Sequence, residues 1–107
     1  MTRKEIDEYL LSMPNAWIDY PFDEKTAAYK LASGKMFALV ADDSDPLRVS
    51  LKCDPNLAEL LREKYESVLP GYHLNKRHWN TIILTGQLDD DEIRDLMRHS
   101  YELASKK

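Results

Sequence analysis

"KMFALVADDSDPLRVSLKC", Lys35 to Cys53, decides how this chain folds. Its first part, "KMFALVA", is apolar at nearly every position, the pattern of a central strand covered on both faces. Its last part, "LRVSLKC", alternates with period two. Leu47, Val49, Leu51 and Cys53 face one way, and Arg48, Ser50 and Lys52 face the other, which makes the outward row mildly basic. A polar turn, Asp42 to Pro46, joins the two strands.

Upstream, "TAAYKLA" reads as a further strand, joined to "KMFALVA" at Ser33-Gly34 with glycine where the chain must reverse. "AWIDYPF" reads as an extended lead-in rather than a regular element. "TRKE" is a capping box, with Thr2 as N-cap and Glu5 at the third helical position. Ile6, Tyr9, Leu10 and Met13 follow at helical spacing, and Pro14-Asn15 ends that helix. Downstream, "DPNLAELLREKY" starts a helix with Asp54 as cap and Pro55 in the first turn, and Leu57, Leu60, Leu61 and Tyr65 form its stripe.

Val68 to Tyr72 suits a short edge strand, because Pro70 has no N–H for an inner ladder. "NTIILTG" is a strand. The final helix, "DDDEIRDLMRHSYELASKK", is capped by Asp89, with Glu92 completing a box and Ile93, Leu96, Met97, Tyr101 and Ala104 as its stripe. The order is α-β(3)-α-β(2)-α. It predicts one two-layer α+β domain over residues 1–107, with an antiparallel sheet packed against helices.

A chain of 107 residues is long enough for one modest core without disulfides or metals. The single Cys53 has no internal partner, which suits a reducing cytoplasm, and no apolar run is long enough for a bilayer. A net charge of −4 argues against a strongly basic nucleic-acid binder. The charges are patterned, however. No acid lies between Glu24 and Asp42, a stretch holding Lys25, Lys30 and Lys35, nor between Glu66 and Asp89, a stretch holding His73, Lys76, Arg77 and His78. This polarity predicts one basic and one acidic surface, against the plainer alternative of charges spread over a solvated exterior.

The chemistry concentrates in "PGYHLNKRHWNT", Pro70 to Thr81. No glycine loop cradles a phosphate, and Cys53 lies on the apolar side of its strand, as an inert core thiol does. His73 and His78 have no cysteine or carboxylate nearby in sequence, and "DDSD" lacks the pattern of a calcium loop, so no metal or other cofactor is expected. Lys76 and Arg77 supply charge for an anion, Asn75 and Asn80 add neutral donors, and Trp79, Tyr72, His73 and His78 offer flat faces for stacking. Lys35, Arg48 and Lys52 extend that surface if their strands adjoin it. The bland alternative is that Trp79 is a core anchor, Tyr72 a sheet residue and "HLNKRH" a polar turn.

"SGKMFALV", "LKCDP", "PGYHLNKRHWNTI" and "DDDEIRDLMRHSYEL" together resemble the MmcQ/YjbR family. The resemblance implies a small α+β fold of the secretion-chaperone-like or CyaY-like kind. It also implies DNA binding through a double-wing arrangement. It supplies no catalytic residues, so the expectation is a protein that is not an enzyme. The CyaY-like comparison invites an iron site on Asp89, Asp90, Asp91 and Glu92, but those residues already serve a helix start. The reading is therefore weak, salt-dependent DNA binding by a cytoplasmic monomer or homodimer. The alternative is a chaperone-like protein-interaction module using Met36, Phe37 and the Val68–Tyr72 edge. A small-molecule pocket between sheet and helices is a third possibility.

Overall fold

The computed structural model describes residues 1–71 and 74–106. Along the chain run α1 (Arg3–Leu11), β1 (Trp17–Asp19), β2 (Thr26–Lys30), β3 (Met36–Ala41) and β4 (Arg48–Lys52). They are followed by α2 (Pro55–Lys64), β5 (Val68–Pro70), β6 (Trp79–Ile83) and α3 (Asp90–Ser105). The strands form one six-stranded sheet in the order β1-β2-β3-β4-β6-β5, and every neighbouring pair is antiparallel. The α+β class and the antiparallel sheet backed by helices follow the sequence reading.

The lead-in differs. Trp17–Asp19 pairs with β2, which makes the order α-β(4)-α-β(2)-α. What holds β1 lies across the strand gap rather than along the chain. The Trp17 indole donates to the Leu31 carbonyl at 2.9 Å, and Asp19 holds Lys30 at 2.9 Å. A three-residue strand has too few positions for alternation to show.

One sheet face carries the core. Register and alternation put Ala27, Tyr29, Ala38, Val40, Val49, Leu51, Val68 and Ile82 on it, all buried. Ile6 and Leu10 of α1, Ala58 and Leu61 of α2, and Ile93, Leu96, Met97 and Ala104 of α3 complete the cluster. Leu60, read as part of the α2 stripe, is 61% exposed, and Ala58 takes the inward position. The small residue lets α2 approach the sheet closely enough for the Ala58 carbonyl to accept from Asn80 Nδ2 at 3.3 Å. The opposite face, with Ala28, Leu39, Ser50, Thr81 and Trp79, has no helix over it among the described residues. Phe22, after β1, and Leu74, after β5, flank a cleft over Leu39 instead.

Two polar joints lock the layers together. The first is Ser100, fully buried on α3. Between Tyr29 and Lys30 the β2–β3 register slips, so Phe37 has no partner on β2, and the β3–β4 ladder begins only at Ala38↔Leu51. There the Ser100 hydroxyl donates to the Phe37 carbonyl and accepts from the Lys52 N–H at 2.8 Å. It thereby satisfies two backbone groups that have left the ladder.

The second joint ties α1 to the sheet. Arg3 donates from Nε to Asp42 at 2.7 Å and from Nη1 to the Tyr29 hydroxyl at 2.8 Å. Tyr29 donates to Asp7 at 2.7 Å, and Tyr20 donates to Asp42 at 2.7 Å. Burial, reinforced by the bond to Asp7, raises the Tyr29 hydroxyl well above its ordinary range. The bond to Asp42 raises Tyr20 as well.

Two outcomes follow. Ser100→Ala strands both backbone groups and lowers stability by about 2–4 kcal/mol, read from urea unfolding midpoints. Because Tyr29 is raised in the folded state, its contribution is complete below pH ~10 and is lost as pH climbs through the folded value. Urea titrations from pH 9 to pH 11 are expected to show an alkaline decline that is smaller in Tyr29→Phe.

Candidate nucleic-acid interface

The cluster singled out in the sequence sits in the turn before β6. Asn75 shapes that turn: its Oδ1 accepts from Arg77 N at 3.0 Å, and its carbonyl accepts from His78 N at 3.1 Å. The His78 carbonyl then accepts from Cys53 N at 2.8 Å, fastening the turn to the end of β4. Gly71 is required beside it, because a Cβ there would lie 2.7 Å from Trp79 Cβ.

Arg62 of α2 holds the turn from the helix side. Its Nη2 donates to the carbonyls of Lys76 and, at 3.2 Å, Trp79, while its Nε donates to Asn80 Oδ1 at 2.6 Å. Sequence reading missed this residue. A lone arginine in the last turn of a helix looks like a solvated charge, and only the tertiary fold brings three acceptors to it.

Trp79 is only 6% exposed, buried on the face opposite the main core cluster, so its ring is not a stacking platform. Lys52 lies over its ring at 5.8 Å to the centroid. Burial lowers the Lys52 pKa, and the nearby charge of Lys35, in the β2–β3 hairpin, lowers it further. Lys35, Lys52, His78, Arg77 and Lys76 thus gather at one end of the sheet. Among the described residues, Lys35, Lys52, Lys76 and Arg77 form no ion pair, whereas Arg3, Lys4, Lys25, Lys30 and Arg94 all do.

Arg48 does not join this group. It stands four residues along β4 from Lys52, about 13 Å away at strand rise, on the side of the acidic Asp42–Asp45 turn. Tyr72 and His73 lie outside the described residues. Trp17, missed in the sequence, is 43% exposed and carries Lys30 over its ring at 5.3 Å.

The acidic helix start is fully engaged by the protein itself. Asp89 accepts from Glu92 N at 2.8 Å, Asp90 from the N-terminal amine at 3.2 Å, and Asp91 from Arg94 at 3.2 Å. Glu92 does not complete a capping box; its carboxylate accepts from the Tyr65 hydroxyl at 2.6 Å. Cys53 is 4% exposed, and burial, with Asp54 adding to it, pushes its thiol up to about 11.

Fold and site together define an antiparallel-sheet α+β domain with unpaired cations on a tethered turn at one sheet end. The chain belongs to the YjbR family, whose model matches residues 11–103. It is 39% identical over 104 residues to the uncharacterized protein YjbR of Escherichia coli K12, covering 97% of this chain and 87% of that protein. It is 31% identical over 93 residues to the uncharacterized protein YbdF of Escherichia coli O157:H7, covering 87% and 75%. Among solved structures, Deinococcus radiodurans protein DR2400 superposes with a TM-score of 0.94 at 39% identity, over 99% of this chain and 80% of that one. A Pseudomonas syringae protein gives 0.84 at 28% identity, over 97% and 99%. No helix among the described residues is long and apolar enough to cross a membrane.

Arg62→Ala is expected to lower stability by about 2–3 kcal/mol, since it unbinds the turn and leaves the buried Asn80 short of a partner. Arg62→Lys is expected to recover little, because one ammonium does not reproduce the fork. Urea unfolding of the three proteins checks both.

Proposed function

We propose that this protein binds duplex DNA weakly and without sequence preference, through phosphate contacts from Lys35, Lys52, Lys76 and Arg77, and that it is not an enzyme. The observation that carries this reading is that those four residues stand at one sheet end and, among the described residues, form no ion pair. A cation already neutralised gains little from a phosphate, while an unpaired one releases DNA counterions on contact. The Arg62 tether supports the reading as well, since a held turn loses little conformational freedom on binding. The protonated, buried thiol of Cys53 favours a non-catalytic role. A reduced cysteine also fits a cytoplasmic setting.

Magnitudes keep the affinity low. Four phosphate contacts give a log–log salt slope of about −3.6, and the overall charge of −4 repels DNA beyond the patch. A second reading, a protein partner adding a strand at the β1 edge, draws on Trp17 at 43%, Tyr20 at 43% and Phe22 at 61% exposure.

Fluorescence anisotropy with labelled duplex DNA across a salt series tests the proposal. Binding is expected to weaken with salt, and Lys76→Ala/Arg77→Ala is expected to flatten the slope by about 1.8. Lys4→Ala, on the exposed side of α1, is expected to leave it unchanged. Absence of binding at low salt overturns the DNA reading and favours the protein-partner one.

A further inference from the structure

The helix-free face of the sheet is not flat. Phe22 and Asp23, after β1, and Leu74, after β5, border a cleft of about 480 Å³ over it. Leu39, Ala41, Ser50 and Thr81 form its floor, and Phe22 and Leu74 are its walls. This volume lies in the range of pockets that hold small organic molecules. The sequence reading had placed any such pocket on the other side of the sheet, among the helices.

Arg48 and Asp23 also line the cleft, and their circumstances differ. Asp23 is occupied: its Oδ1 accepts from the N–H groups of Lys25 and Thr26, at 2.8 Å each. Those bonds hold its carboxyl below the usual range, so it stays charged. The Arg48 guanidinium has no ion pair or hydrogen bond among the described residues; only its backbone N–H is used, by Ser44. This is notable because the acids of the Asp42–Asp45 turn are close in sequence. Asp42 is spent on Arg3 and Tyr20, Asp43 on Lys25, and Asp45 makes no ion pair with Arg48 among the described residues. Beside Arg48, Ser50 Oγ meets Thr81 Oγ1 at 2.8 Å and keeps lone pairs for a further bond.

We infer that this cleft is a binding site for a small monocarboxylate with a compact apolar body, its carboxylate on Arg48 and its body between Phe22 and Leu74 over Leu39. The planar fork of Arg48 matches a carboxylate with two parallel hydrogen bonds. Charge selects a monoanion. Charged Asp23 also lines the cleft, so each added negative charge is costly there, and a dianionic phosphate brings one more than a carboxylate does. The site is separate from the basic sheet end and does not depend on DNA binding.

The test is a titration of the full ¹⁵N-labelled chain with benzoate, benzamide and phenyl phosphate, followed by amide chemical shifts. Benzoate is expected to move the amides of Leu39, Ala41, Ser50 and Thr81 together, with benzamide and phenyl phosphate each at least about tenfold weaker. Arg48→Gln is expected to weaken benzoate by at least about tenfold, and Arg48→Lys by less. Arg48 is exposed at the sheet surface; if the glutamine variant loses its dispersed spectrum, the lysine variant supplies the comparison. The inference is overturned if benzoate moves none of these amides at millimolar concentration. Equal binding of benzamide, tighter binding of phenyl phosphate, or indifference to the Arg48 substitutions also overturns it.

Discussion

A single buried hydroxyl sets how the helical layer of this molecule sits on its sheet. Where β3 and β4 part company at Phe37 and Lys52, the sheet has a donor and an acceptor facing a dry helix interface. Ser100 enters that gap and answers both. The consequence is positional. α3 cannot slide along the sheet without abandoning two hydrogen bonds at once, so the helix is indexed to the strands. Apolar packing alone, which is non-directional, does not index anything. The same contact fixes the backbone of Lys52, and with it the strand end that Cys53 joins to the basic turn.

The repeating parts of the fold were legible in the sequence. Period-two alternation over Leu47 to Cys53, the apolar run through Val40, and caps at Thr2, Asp54 and Asp89 are local signals, and each produced its element. What escaped was settled across space. Trp17–Asp19 is a strand because of Leu31 and Lys30, Leu60 faces water because Ala58 seats α2, and Glu92 turns to Tyr65, a residue of another element. Ser100 itself looked like an ordinary polar position within an apolar stripe.

The candidate site was half legible for the same reason. That "HLNKRH" is a polar turn and Trp79 a buried residue follows from residue type, and the structure agrees for the part it describes. Which cations would stand together did not follow. Lys35 and Lys52 meet because β3 neighbours β4, and Arg48 is carried to the far end of the same strand. One outward row, read as a unit in the sequence, is thus divided between two surfaces. Its basic end faces the tethered turn, and its other end lines the cleft.

The two margins of the sheet are unequal. On β5 the outward-facing positions are Val68, whose N–H is already given to Tyr65 at 3.2 Å, and Pro70, which has none. Among the described residues, that border offers a further strand no free donor. β1 has no proline to silence it. A sheet with a single margin able to take a strand would close as a twofold pair on meeting a second copy, rather than extend. Growth into an endless ribbon, the standing hazard of exposed antiparallel sheets, is opposed at β5 by one imino acid and one committed amide.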